Sequence, residues 1–98
     1  MPHFVCLFDW TDQGTKTLTD TLERVESASE MGQSKYGLTL EHIYWTVGAH
    51  DLVGVVEAPD VESLSAFLLE VASAGNIRTT TMRAFDRDEM SAIIGRIG

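Results

Sequence analysis

The residues with the chemistry to bind or react gather around one stretch, YWTVGAHDLVGVVEAPD, residues 44–60. A strand-like run breaks at Gly48-Ala49-His50-Asp51 and resumes as a second strand. No turn geometry requires an imidazole at such a corner. His50 is therefore a candidate base or ligand contact, since histidine is the side chain suited to proton transfer near neutral pH. Asp51 admits two roles: a carboxylate after a glycine turn can accept backbone N–H bonds and fix the corner, or it can meet a ligand. With a four-residue loop at 48–51, the strand register sets His42 opposite Glu57, Tyr44 opposite Val55 and Trp45 opposite Gly54. A carboxylate beside an imidazole orients it for general-base or ligand duty, so His42 joins His50 as a catalytic candidate. Tyr44, His50, Asp51, Glu57 and Arg83 are the expected ligand contacts. Arg78 and Arg83 lie on one strand but on opposite faces, so only one of them can serve a given cavity.

Other chemistries find less support. His3, His42 and His50 show no metal-ligand spacing, and no metal site is expected. A histidine could act as an axial haem ligand, but nothing else in the chain favours haem, and no glycine-rich phosphate loop follows a strand. No cofactor is expected. The single Cys6, in HFVCLF, reads as a small buried hydrophobe and can form no internal disulfide.

These residues need elements to position them. HFVCLFDW (3–10) reads as a strand covered on both faces, because its apolar run is nearly continuous. From Thr15, Leu18, Leu22, Val25 and Ala28 recur at helical spacing until Tyr36-Gly37, where glycine supplies a cap. Residues 38–47 and 52–58 are strands by their β-branched and aromatic content. Asp60 caps a helix whose stripe is Val61, Leu64, Phe67, Leu68 and Val71, with Leu69 outside it. Residues 77–85 form a threonine-rich strand. Asp86 and Glu89 then stand in capping-box positions before a final helix with Met90, Ile93, Ile94 and Ile97 on one side.

The order β-α-β-β-α-β followed by a helix predicts one α+β domain over residues 1–98, a ferredoxin-like antiparallel sheet with helices on one face. Two helices cover only one face, and the other, carrying His42, Tyr44, Thr46, Val53 and Val55, is too apolar for water. A homodimer that brings two such faces together is the economical solution.

Composition narrows the partners. The 98 residues carry a net charge of −8, which argues against nucleic acid and anionic membranes. No apolar run reaches membrane-spanning length, and MPHF does not open a signal peptide, so a cytoplasmic location is expected.

WTDQG (10–14), YWTVGAHDLVGVVEAPD and NIRTTTMRAF together resemble the GYD domain family across essentially the whole chain. That family is named for a Gly-x-Tyr-Asp element at the hairpin corner; here the matching residues are Gly48, His50 and Asp51, with histidine in the tyrosine position. The resemblance implies a ferredoxin-like fold assembling as a dimeric α/β barrel, and its members are largely uncharacterised. The expected function is a homo-oligomer binding a small organic ligand at the sheet interface. The alternatives are a cofactor-independent oxygenase or isomerase with a histidine base, and an accessory subunit that binds another protein.

Overall fold

The computed structural model describes all 98 residues. Strand β1 (His3–Trp10) leads through the short helix α1 (Asp12–Lys16) and a 3-10 turn at Leu18–Asp20 into α2 (Thr21–Tyr36). Strands β2 (Thr39–Trp45) and β3 (Leu52–Glu57), helix α3 (Val61–Ser73), strand β4 (Ile77–Ala84) and helix α4 (Arg87–Ile97) complete the chain. The sheet runs β2-β3-β1-β4 and every neighbouring pair is antiparallel, the ferredoxin-like arrangement. No helix is long and apolar enough to cross a membrane.

The helix expected from Thr15 is two helices instead. Thr11 caps α1 by accepting a bond from the Gly14 N–H, and the threonine-rich segment that follows interrupts the helix. Threonine hydroxyls compete for backbone partners and disfavour a helix interior. The C-terminal stop is as expected: Gly37 takes a left-handed φ of 69° and donates to the Gln33 carbonyl.

Phe4 and Cys6 of β1, Val56 of β3, Leu38, Ala58, and Leu64 and Phe67 of α3 form the core. Burial pushes the Cys6 thiol above its ordinary pKa, and the Thr81 hydroxyl donates to its sulfur at 3.7 Å. Asp60 caps α3 through the Ser63 N–H at 2.7 Å; Val61 is exposed, so the apolar stripe starts one turn later than expected, at Leu64, and Leu69 is exposed outside it, as expected. The capping box of α4 is present, with Asp86 and Glu89 exchanging backbone bonds.

The expected hairpin register is displaced by two residues. Trp45 lies opposite Leu52, Tyr44 opposite Val53, Ile43 opposite Gly54 and His42 opposite Val55. His42 and Glu57 are therefore not a cross-strand pair. The Thr46 N–H donates to the Asp51 carbonyl at 2.8 Å, so the turn is residues 47–50 rather than 48–51. Asp51 is drawn out of the turn by β1: its N–H donates to the Phe8 carbonyl at 2.9 Å. A slip of two leaves the side chains from His42 to Trp45 on their expected faces, because strand side chains alternate with period two. Gly54 makes room for Ile43 and Phe8 rather than for Trp45. Trp45 is half-exposed and donates its indole N–H to Thr21 Oγ1 at 3.0 Å.

Candidate functional site: an uncovered sheet face and its two ends

Helices α2 and α3 pack on the face of the sheet that carries Phe4, Cys6, Leu52 and Val56. The opposite face is left to solvent. Read across β4, β1, β3 and β2, its two middle rows are Met82, Val5, Val55, His42 and Thr80, Leu7, Val53, Tyr44. Tyr44 is 63% exposed, and its ring stacks on His42 with centroids 6.4 Å apart and planes at 11°. The centre of this face is apolar, and both of its ends are charged.

One end is the hairpin corner. The Asp51 carboxylate accepts the Trp10 N–H at 2.9 Å, tying the turn to the last residue of β1. Its carboxylate is thus engaged by backbone. His50 Nδ1 lies 3.1 Å from the Asp9 carboxylate, which sits opposite Arg78 across β1 and β4. His50 is consequently clipped to the edge of the open face. Asp9 escaped the sequence reading because the near-continuous apolar run of β1 hid its alternation: Phe4, Cys6 and Phe8 point inward, and His3, Val5, Leu7 and Asp9 outward.

At the other end, His3 Nε2 lies 2.7 Å from Glu41 Oε1 and 3.5 Å from Glu57 Oε2. Glu57 therefore meets His3 of the neighbouring strand instead of His42. His3 was set aside from the sequence for want of metal-ligand spacing and Glu41 was not considered, since no spacing rule finds a trio contributed by three strands. Arg83 is not part of this face. It pairs in register with inward-pointing Phe4, its guanidinium lies 5.7 Å from the Phe4 ring and 4.4 Å from the Phe85 ring, and it bonds Glu89 at 3.1 Å. The arginine on the open face is Arg78.

Two further surfaces are uncovered. Under α2, on the helix side of the sheet, is a cleft of about 660 Å³ walled by Phe8, Val25, Met31, Leu40, Ile43 and Val71, with Asp20, Glu23, Arg24 and Glu70 at its rim. None of the three histidines lines it. Helix α4 rests on no other element beyond marginal contact, and its stripe is open, from 36% at Ile93 to 84% at Ile97.

The WTDQG segment is a clasp. Gln13 Nε2 donates to the Ala74 carbonyl and to Asn76 Oδ1, both at 3.0 Å, and the Thr11 N–H donates to the Asn76 carbonyl at 3.0 Å. It fastens the end of β1 to the turn between α3 and β4.

Comparison with known proteins agrees with this architecture. A protein of Thermus thermophilus named glutamine synthetase and cystathionine beta-lyase binding protein is 33% identical over 84 residues, 86% of this chain and 88% of that one. The crystal structure of TTHA0845 from the same organism superposes with a TM-score of 0.55 at 24% identity, over 88% of this chain and 95% of that one. The feast or famine regulatory protein of M. tuberculosis, complexed with L-methionine, gives a TM-score of 0.66 at 17% identity, covering 88% of this chain and 51% of that one. The chain thus spans about half the length of the mycobacterial regulators it matches, and the likeness to them is one of fold. The GYD domain family matches residues 4–94. With that match running from the first strand into the last helix, the chain belongs to the GYD domain family.

Proposed function

We propose that this protein is a self-associating binding protein whose partners are other proteins, metabolic enzymes foremost. The observation that carries the reading is the uncovered sheet face, apolar at its centre around Val5, Leu7, Tyr44, Val53, Val55 and Met82 and charged at both ends. That is the anatomy of an association surface, with a dry centre and a polar rim. Two copies meeting through this face bury it and leave the α4 stripe free, a second apolar surface for a different partner. The relative from Thermus thermophilus is named for binding two enzymes, which supports enzymes as the partner class.

The histidine-base enzyme would need His42 or His50 in a water-excluding pocket. Neither lines the cleft formed within one chain, which is on the other side of the sheet, and an apolar face closed by a second copy is first of all an association surface. A small organic ligand remains a second reading, favoured by the cleft, whose volume falls in the range of ordinary ligand sites.

Light scattering on the eluting protein tests the first part. The wild type is expected as a dimer or larger, and Tyr44→Asp or Val55→Asp as a monomer with unchanged circular dichroism. A symmetric interface would carry the substitution twice and bury both carboxylates without a partner, at several kcal/mol. Immobilised wild type is then exposed to purified glutamine synthetase and cystathionine β-lyase. Ile94→Glu is expected to weaken that binding at least tenfold and to leave self-association intact. Wild type that binds neither enzyme removes the partner assignment, and a monomeric wild type removes the assembly.

A further inference from the structure

We propose that His3, Glu41 and Glu57 form a binding site for one divalent transition-metal ion of the zinc class. The three side chains come from β1, β2 and β3, and their donor atoms all lie within 4.8 Å of one another. The shortest approach, 2.7 Å between His3 Nε2 and Glu41 Oε1, needs only a small opening to become the separation of two ligands on one ion.

The backbone builds this convergence. His3 is paired with Glu57 on one side and with Ala84 on the other, and the Ala58 N–H donates to the Pro2 carbonyl at 2.9 Å. The first residues of the chain are therefore held in the sheet. In β2 the register shifts between Leu40 and His42, a bulge that leaves Glu41 unpaired. An extra residue of this kind re-aims a side chain, and here the Glu41 carboxylate reaches across β3 to His3.

The electrostatics call for a cation. Glu41 and Glu57 have no lysine or arginine as an ion-pair partner; His3 is the partner of both. Arg83 is engaged with Glu89. One imidazole carries at most one positive charge against two carboxylates, and a metal ion entering the trio would displace the Nε2 proton that now faces Glu41. One nitrogen and two carboxylate oxygens are a borderline donor set, suited to Zn²⁺, Co²⁺ or Mn²⁺ rather than to Ca²⁺ or Mg²⁺, which prefer oxygen alone. Three protein ligands leave a coordination position open to water or to a donor from a second molecule. The trio is about one-third exposed, at the rim of the open face, so such a donor has access. This inference stands apart from the proposed function, because the site is complete within one chain.

The experiment is calorimetric titration of Zn²⁺ into tag-free protein previously stripped with chelator, repeated with Co²⁺ while recording its visible absorption. One ion per chain is expected, with a dissociation constant on the order of micromolar and a tetrahedral-type cobalt spectrum. Glu41→Gln and His3→Gln are each expected to weaken binding at least tenfold, while His50→Gln leaves it unchanged. Glu41 is exposed on its bulge, so Glu41→Gln retains the fold, checked by circular dichroism. Wild type that binds Zn²⁺ no tighter than the His3→Gln, Glu41→Gln double variant overturns the site, as does a cobalt spectrum identical in both.

Discussion

Gly14→Ala tests whether the WTDQG segment is a structural clasp. Gly14 lies in α1, where alanine is ordinarily the better residue by roughly 1 kcal/mol. By propensity alone the substitution would stabilise the protein. The surroundings reverse the sign. A Cβ on Gly14 would stand 2.0 Å from the backbone oxygen of Asn76, where ordinary contact begins at 3.4 Å. The obstacle is main chain, so it cannot swing aside as a side-chain tip would. The turn between α3 and β4 has to retreat by about 1.4 Å, and that movement breaks the bond from the Thr11 N–H to the Asn76 carbonyl. Overpacking of this kind costs roughly 1–3 kcal/mol. The lost hydrogen bond adds about 1 kcal/mol, with the Gln13 bonds to Ala74 and Asn76 strained alongside. Against the propensity gain, the net loss is about 1–3 kcal/mol. Urea unfolding followed by tryptophan fluorescence measures it directly, since Trp10 adjoins the clasp. A variant as stable as wild type, or more so, would refute the close approach and with it the clasp.

Asp51→Ala removes the acceptor for the Trp10 N–H and is expected to cost about 1.5–3 kcal/mol, as for other hydrogen bonds to a charged group. Asp51→Asn, which keeps an acceptor oxygen, should lose clearly less; equal stability of wild type and Asp51→Ala would instead return Asp51 to the ligand contacts. The pH dependence has a definite sign. The Lys35 ammonium and Tyr36 hydroxyl hold Glu70 below the ordinary glutamate value of 4.5, the Asp86 N–H and Arg83 lower Glu89, and the Ser63 N–H lowers Asp60 from 3.8. Groups depressed in the folded state contribute stability above their unfolded values, and that contribution is lost as pH falls through the folded ones. The melting temperature is therefore expected to be level from pH 7 to about 5 and to decline below pH 4.5. A melting temperature that holds or rises in acid would show these capping and ion-pair contacts to be absent.

The fold was legible because it rests on local patterns. Asp60, Gly37 and the Asp86–Glu89 box mark helix ends that backbone chemistry demands wherever the chain goes, and they stand where the sequence put them. The inward and outward faces of β3 were equally legible from alternation. What was not legible was which residue meets which across the sheet. The His42–Glu57 pairing depended on placing a turn, and the placement was decided by Asp51 bonding to β1, a strand more than forty residues earlier. Arg83 was misplaced for a related reason: parity separates it from Arg78 but does not say which of the two faces the helices.

The bulge at Glu41 left a trace that a stricter reading of β2 could use. In LEHIYW both Leu40 and Ile43 are apolar, and both face the helix-covered side, walling the cleft. They are three residues apart, and side chains an odd number of residues apart in a regular strand cannot share a face. One residue must therefore be inserted between them. The inserted position is either Glu41 or His42, and in both cases two adjacent polar side chains turn together onto the open face. The same inference adds Glu41 to the end of the sheet where His3 begins β1 and Glu57 ends β3. A single misfit in hydrophobic spacing thus points to the one place in the strand where the chain departs from regularity, and there the carboxylate reaches His3.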